Sequence, residues 1–276
     1  MASATKPVNP ADLKAIFGLE PEKAMEYLKS KGYAITWNWQ EMLDQAHDQA
    51  FTVAKAMRLD LLSDIRSALE TALQDGQTLK QFIASLQPTL ESQGWWGQQV
   101  IVDSQGVGEL VQLGSPRRLQ TIYQTNLQSA YMAGRKADME ETTDTHPYWM
   151  YVAILDGKTR PSHRALHGQV FRHDDPIWAA IFPPNGFNCR CRVVALTEAA
   201  VKRRGLRIVS SEGRMFTETV ETCTDNRTGE IRTAEVTGLR TTDAAGKVVT
   251  FRTDPGFNHA PGTGLVDMLK RKQTAA

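Results

Sequence analysis

Residues 149–196 read WMYVAILDGKTRPSHRALHGQVFRHDDPIWAAIFPPNGFNCRCRVVAL, and this stretch decides how the chain folds. Its two ends, Trp149–Leu155 and Val193–Leu196, are apolar and rich in aromatic and β-branched residues, which predicts a strand at each end. Between them, Asp156-Gly157 predicts a turn, and a dense polar segment holds three of the six histidines and two of the three cysteines. Apolar burial alone cannot hold such a segment, so hydrogen bonds, ion pairs or a metal must fix it.

The histidines and cysteines of this segment have spacings that fit a metal site. His163 and His167 would share one face of a helix, because they are four residues apart. Cys189 and Cys191 would share one face of a strand, because they are two residues apart. Two nitrogens and two sulfurs can form a tetrahedral zinc site. Structural zinc sites usually space paired cysteines more widely, so an alternative stays open in which these side chains only hydrogen-bond and pack.

Other kinds of chemistry use some of the same residue types. The histidine spacing is that of a zinc-protease helix, but Arg164 replaces the glutamate that acts as general base, which excludes this mechanism. A cysteine nucleophile with a histidine base, oriented by Asp156 or Asp175, has the right residues, but only geometry can decide. The arginines favour at most sequence-independent contacts to phosphate. The alternative function is therefore a nuclease or a cysteine hydrolase.

The first half of the chain is predicted to be helical. Apolar residues recur at three- and four-residue steps, Thr78 and Gln81 form a capping box, and Ser115-Pro116 opens another helix. The predicted helices cover about 10–31, 38–74, a short segment from 79 that Pro88 breaks or ends, and 116–141. Residues 93–114 predict a loop or short extended segment, in which Trp95-Trp96 is either a core anchor or a contact site.

The rear of the chain favours short strands. The candidates are rich in threonine and valine and are separated by turns, at 208–209, 215–220, 231–236 and 248–251. Cys223 stands apart from the other cysteines and is expected to be structural. The chain then becomes glycine-rich and finally basic at Lys270, Arg271 and Lys272, which predicts a flexible arm that contacts DNA or an acidic partner, or a solvated terminus.

Composition limits the class of protein. The 276 residues are 41% hydrophobic and 23% charged, as in an ordinary globular protein, and no apolar run reaches the ~20 residues of a membrane span. The first ten residues lack the apolar core of a signal peptide, and three cysteines are too few for a disulfide scaffold. We therefore expect a reducing cytoplasm and no membrane.

The net charge of +1 offers nucleic acid no overall attraction, but it is divided unevenly. Residues 1–150 carry 13 basic and 18 acidic side chains, and residues 151–276 carry 19 basic and 13 acidic ones. An acidic front and a basic rear favour different partners for the two halves, or else an uneven solvated surface.

Three motifs in order, with a later segment, make the sequence recognisable. The motifs are Asp156–Gly168 (DGKTRPSHRALHG), Asp174–Trp178 (DDPIW) and Pro183–Arg192 (PPNGFNCRCR), and the later segment is Asp254–Gly262 (DPGFNHAPG). At this spacing the motifs resemble the head-morphogenesis domain of tailed bacteriophages, the family of the phage Mu F-like minor head proteins. The core resemblance covers residues 149–196, and the helical front and the later segment are similar to the same proteins.

The resemblance implies a structural minor head protein that is not an enzyme. It implies a place at the portal or inner capsid surface, contacts to the portal or the major capsid protein, and an aid to DNA packaging or ejection, with sequence-independent contacts to packaged DNA. The implied location is the virion head, with the host cytoplasm during assembly. No cofactor is implied beyond the zinc that the residues would allow. The family's invariant polar residues map here onto Asp156, Arg160, His163, Asn188, Cys189 and Cys191.

Together these features predict an α+β protein with three regions. A mainly helical region covers 1–145, a compact α+β motif core covers 146–204, and a β-rich region with a flexible basic tail covers 205–276. In the motif core we expect Arg160, four residues after Asp156, to clamp a carboxylate or carbonyls with its planar fork. His163 and Asn188 are expected to tie the histidine segment to the Pro-Pro-Asn-Gly loop, which the two cysteines pin to the sheet.

Overall fold

The computed structural model describes residues 22–102, 106, 108–224, 229–242 and 246–275, with the backbone alone for 272–275. Helices make 40% of the described residues and strands 23%, so the predicted α+β class is confirmed. The helices are α1 (Glu22–Ser30), a 3₁₀ turn (Trp39–Glu41), α2 (Gln45–Gln49), α3 (Leu59–Asp75), α4 (Leu79–Ser92), α5 (Pro116–Glu140), α6 (Pro161–Ala165), α7 (Trp178–Ile181), α8 (Glu198–Arg203) and α9 (Leu265–Ala275). The strands are β1 (Gly32–Tyr33), β2 (Ala50–Phe51), β3 (Gln98–Val102), β4 (Gly108–Gln112), β5 (Tyr148–Val152), β6 (Val170–Arg172), β7 (Arg192–Leu196), β8 (Met215–Thr224), β9 (Ile231–Thr242) and β10 (Val248–Arg252).

The strands of the described ranges pair into four small sheets. β1 and β2 are parallel, and β3 and β4 form an antiparallel hairpin. β5 is the centre of an antiparallel sheet in the order β6–β5–β7, and β9 is the centre of a second one in the order β8–β9–β10. Trp149 lies opposite Ala195, so the two strands predicted at the ends of the deciding stretch pair with each other and fold the polar segment back on itself.

The helical front packs around α5. Ser115 caps this helix by accepting the backbone N–H of Arg118, as the sequence predicts. Gly134 allows α1 to approach α5 closely, since a Cβ at this position would lie 3.1 Å from the backbone nitrogen of Ala24. The capping box of Thr78 and Gln81 at the start of α4 is also confirmed.

One hydrophobic core serves all three predicted regions. Leu69 and Tyr131 from the front, Trp149 and Phe171 from the motif core and Phe251 from the rear belong to a single cluster of buried residues. The boundaries after 145 and 204 stay a prediction, but the regions that they separate share this core. Trp95 is a core anchor: it is 4% exposed, and its Nε1–H donates to the carbonyl of Lys55 at 2.9 Å.

The helix predicted over 38–74 is wrong in its first half. Residues 38–58 form the 3₁₀ turn, α2, β2 and loops, and only α3 keeps the predicted helical stripe. Asp44 and Lys55 have φ values of 51° and 66°, which no right-handed helix accommodates. Tertiary contacts override the local pattern, because β2 pairs with β1 and Asp44 accepts the backbone N–H of Asn258 at 2.8 Å.

Three further expectations meet different outcomes. Pro88 does not end its helix, since α4 continues to Ser92 and buries Leu86 and Leu90 on either side of the proline. The basic end, for which a flexible arm is predicted, belongs to helix α9, whose first residue, Leu265, is buried in the core. Residues 10–21 of the first predicted helix lie outside the described residues.

Among the described helices, none has the length and hydropathy needed to cross a membrane.

Asp48 joins the front of the chain to the segment that follows β10. Its carboxylate accepts hydrogen bonds from the Tyr27 hydroxyl at 2.6 Å, from His259 Nε2 at 3.0 Å and from the backbone N–H groups of Gly262 and Thr263 at 2.9 and 3.3 Å. Burial alone would raise the pKa of Asp48, but the bonds from His259 and Tyr27 outweigh it, and the net effect lowers the pKa below 3.8. The ionised carboxylate therefore stabilises the folded chain.

We expect Asp48→Asn to lower the free energy of unfolding by about 1.5–3 kcal/mol, the cost of weakening charge-assisted bonds. The stabilisation by Asp48 is present above its ordinary pKa of 3.8 and is lost as the pH falls through the lowered folded value. The difference in free energy of unfolding between wild type and Asp48→Asn should therefore become smaller at acid pH. Urea unfolding at several pH values measures it, and Asp60→Asn, at an exposed carboxylate, is the control. Equal stability of Asp48→Asn and wild type at pH 7 would contradict this role.

Candidate functional site

Three of the predicted polar residues meet in one buried cluster. Helix α6 carries His163, and the segment that leads into β7 carries Cys189 and Cys191. His163 Nδ1 lies 3.8 Å from the sulfur of Cys189 and 3.6 Å from that of Cys191. The three side chains are only 2%, 8% and 1% exposed, respectively. The cluster thus offers one nitrogen and two sulfurs, all within 4.8 Å of one another.

The walls of the cluster are aromatic and polar. The Tyr151 hydroxyl donates to Asn185 Oδ1 at 2.8 Å, and both residues are fully buried. The ring of Phe251 lies 5.4 Å from the imidazole of His163, centre to centre. Within the described residues, His163 Nε2 and Asn185 Nδ2 are buried without a hydrogen-bond partner. The cluster therefore contains polar atoms whose bonding capacity is not used.

The two thiols affect each other's acidity in opposite directions. The hydrogen bond from Cys191 lowers the pKa of Cys189 well below its usual 9.0; burial opposes this, and bonds from His163 and from the backbone of Asn185 support it. The hydrogen bond with Cys189, together with burial, raises the pKa of Cys191. Cys189 is thus the thiol that ionises first, and the thiol of Cys191 donates a hydrogen bond to its sulfur.

Two ion pairs enclose the cluster, and they differ from the expected pairing. Asp156 binds Arg190, with two bonds of 2.6 and 2.7 Å, and the guanidinium holds the pKa of Asp156 well below its usual 3.8. Arg160 instead reaches Asp254 at 2.8 Å. The expected clamp on a carboxylate exists, but its acceptor comes from the rear of the chain. Gly186 lets this pair approach, since a Cβ there would lie 2.2 Å from Asp254 Oδ2.

Two predicted site residues lie outside the cluster. Helix α6 ends at Ala165, so His167 does not continue the face that His163 occupies; it is exposed, and its Nδ1 lies 3.0 Å from the carbonyl oxygen of Ala153. The predicted metal site with four ligands therefore has one wrong ligand, because His167 lies outside the cluster. The side chain of Asn188 is also exposed. The backbone of Asn188 is left-handed, with a φ of 59°, where the loop turns toward Cys189. The buried amide that ties the loop to the sheet is that of Asn185.

The sequence analysis missed four residues that build this site: Tyr151, Asn185, Arg190 and Asp254. All four lie inside the quoted segments or the first predicted strand, so these stretches were identified correctly, but the roles were assigned to neighbouring residues. Period-two alternation along β5 buries Trp149 and Tyr151. That alternation was the available signal for Tyr151. No local pattern links Asp254 to Arg160 across 94 residues.

A cavity of about 410 Å³ lies beside the cluster, between the front, α5 and the segment after β10. Its lining includes the aromatic residues Trp37, Trp39, Phe187 and Phe257. Burial lowers the pKa of Lys31 in its wall to about 8, and lowers that of His47 to about 4. The cavity is lined by residues other than His163, Cys189 and Cys191. The cluster and the cavity are therefore separate features.

Comparison with known proteins gives the class and then the family. Residues 63–194 match the family described as "Phage Mu protein F like protein". Over 93% of its length the chain is 47% identical to "Putative capsid assembly protein F" of Escherichia phage Mu. Over 83% of its length it is 48% identical to the "Mu-like prophage FluMu F protein" of Haemophilus influenzae (strain ATCC 51907 / DSM 11121 / KW20 / Rd). Both relatives are proteins of Mu-like phages or prophages.

Within this class, the chain belongs to the phage Mu F-like proteins, as the motifs predict. It covers 57% and 53% of the two relatives, so the chain spans about half the length of the curated relatives it matches. No solved structure matches the chain.

We expect Tyr151→Phe to lower the free energy of unfolding by about 1–3 kcal/mol, because the buried oxygen of Asn185 loses its donor. Tyr148→Phe removes a hydroxyl from a half-buried position of the same strand and serves as the control. Thermal unfolding of both variants measures the difference. If Tyr151→Phe melted with Tyr148→Phe and wild type, the hydrogen bond to Asn185 would not contribute to the fold.

Proposed function

We propose that this chain is a structural protein of the bacteriophage head that acts in head morphogenesis. The observation that carries the proposal is the 47% identity, over 93% of the chain, to a protein named for capsid assembly. The finer proposal is a minor component at the portal or the inner capsid surface, which contacts the portal or the major capsid protein and aids DNA packaging or ejection. Its place is the virion head, and the host cytoplasm during assembly.

The burial of the polar core supports a structural role over catalysis. A catalytic base or nucleophile has to come within hydrogen-bond reach of its substrate. His163 and Cys191 are 2% and 1% exposed, and the adjacent cavity is lined by other residues. Arg160 and Arg190 are bound to carboxylates from distant parts of the chain, as expected of residues that hold loops together. We therefore propose that the chain is not an enzyme.

The alternative is a cysteine hydrolase, and one contact favours it. Cys189 lies 3.8 Å from His163 Nδ1, and the thiol ionises more readily than a free cysteine. The expected orienting carboxylates are used elsewhere: Asp156 binds Arg190, and Asp175 accepts the backbone N–H and the hydroxyl of Ser211. His163 Nε2 has no partner among the described residues, so no third group orients the imidazole there. The geometry favours the structural role.

The uneven charge supports a further part of the proposal. The rear of the chain carries the positive excess, and α9 exposes Lys270 and Arg271 on its surface. Lys272 belongs to the same helix, and its side chain lies outside the described residues. A basic surface of this kind suits sequence-independent contact with packaged DNA or an acidic partner. The acidic front then packs on protein.

We expect the protein to copurify with phage heads at far lower copy than the major capsid protein. The test is quantitative mass spectrometry of proheads and virions separated from free protein on gradients. Host ribosomal proteins in the same fractions are the control for contamination. Absence of the protein from both particles would contradict a head component.

We expect His163→Ala to lower the melting temperature by several degrees and to impair head assembly together. The variant leaves the buried cluster with a lost partner and a small cavity, at a cost of about 1–3 kcal/mol or more. His167→Ala, at an exposed histidine, is the matched control and should affect neither property. Calorimetry and electron microscopy of particles measure both on the same variants. A normally stable His163→Ala chain that assembled heads but failed at a later step would favour the catalytic alternative.

A further inference from the structure

We infer that His163, Cys189 and Cys191 bind a zinc ion that fastens α6 to the segment leading into β7. The inference concerns a metal site and stands independently of the proposed role in head assembly. The nitrogen and the two sulfurs already lie within 4.8 Å of one another and are buried, so binding requires little rearrangement.

The distances in the cluster fit the tetrahedral geometry of zinc. An ion that lies ~2.3 Å from a sulfur and ~2.0 Å from a nitrogen, at a tetrahedral angle, separates the two ligand atoms by about 3.5 Å. The structure places His163 Nδ1 at 3.6 Å from the sulfur of Cys191 and at 3.8 Å from that of Cys189. Imidazole and thiolates together are the ligands that zinc prefers.

The imidazole of His163 lacks a strong interaction that a metal would supply. Its Nδ1 faces two sulfurs, which are weak hydrogen-bond partners. A buried polar group in this state lowers stability. A bond from Nδ1 to the ion gives the ring a strong partner, and the surrounding ring of Phe251 and the walls of the cluster hold it in place.

Charge also favours a divalent cation at this point. The nearest guanidinium groups are already paired, Arg160 with Asp254 and Arg190 with Asp156. Two metal-bound thiolates therefore need their countercharge from the ion itself, because unpaired buried charge is unfavourable. Zn²⁺ with two thiolates and a neutral imidazole carries no net charge. The backbone N–H of Asn185 at Cys189 supplies an outer hydrogen bond that orients metal-bound sulfur.

The structural consequence is that metal–ligand bonds join two segments of the motif core. His163 and Cys189 are 26 residues apart, and the chain between them includes β6, α7 and the Pro-Pro-Asn-Gly loop. An ion that joins the two ends closes this loop in the folded state.

The test uses the full chain, made without a metal-binding tag and purified without chelators. We expect elemental analysis to find about one zinc per chain, and cobalt in its place to give a thiolate charge-transfer band and tetrahedral d–d bands. Cys189→Ser and Cys191→Ser should lose most of the zinc and the charge-transfer band. Cys223→Ser, at a half-buried cysteine outside the cluster, should retain both.

The cobalt titration of the wild-type chain needs no variant to fold, so it decides the question even if the serine variants do not. A zinc-free chain that takes up no cobalt, or that gives cobalt bands without a thiolate contribution, would overturn the inference. So would loss of metal in Cys223→Ser with circular dichroism unchanged. An intact mass that reveals a disulfide between Cys189 and Cys191 in the chain as first isolated would also overturn it.

Discussion

The pairing of β5 with both β6 and β7 is the constraint on which the rest of the structure depends. Because Met150 pairs with Val170 on one side and with Val194 on the other, the chain has to return twice to the same strand within about fifty residues. The two returns place α6 beside the segment that precedes β7. The meeting of His163 with Cys189 and Cys191 follows from this topology and from the short loops that it requires.

The rear of the chain completes what the central sheet begins. Asp254 binds Arg160, and Phe251 packs on the imidazole of His163, so the segment around the end of β10 closes the polar core. The same segment reaches the front of the chain, where the carboxylate of Asp48 accepts hydrogen bonds from Tyr27 and from residues 259–262. A buried carboxylate is favourable only when its donors are in place. Ionic contacts therefore hold together regions that the sequence divides by composition.

Local patterns predicted what depends on local geometry. The caps at Thr78 and Ser115, the helix period of α3 and α5 and the strands β5 and β7 all follow from neighbours within a few residues, and the structure has them as expected. The failed helix prediction over 38–58 has a physical cause in contacts beyond its local pattern. These residues carry a helical apolar period, but β2 pairs with β1, and Asp44 and Asp48 bond to partners more than two hundred residues later.

In the candidate site, too, local patterns predicted some features and missed those that depend on distant contacts. The motifs identified the stretch, and they placed His163, Cys189 and Cys191 in it correctly. They did not give the partners, because which arginine meets which carboxylate depends on loop positions that no spacing encodes. Arg160 and Arg190 are the same residue type in the same stretch, yet one binds Asp254 and the other Asp156. Similarly, of the two asparagines of the loop, it is Asn185, not Asn188, that is buried.

The Asp48 contacts have a consequence for how the chain folds during synthesis. Residues 44–48 bond to residues 258–263, which leave the ribosome more than two hundred residues later. Contacts of such long sequence separation form late, because the loop has to close before they contribute. Until then, α3, α4 and α5 have their own local contacts, whereas Asp44 and Asp48 lack the donors of residues 258–263. The native turn-rich form of residues 38–58 is therefore completed only after the last part of the chain has been made.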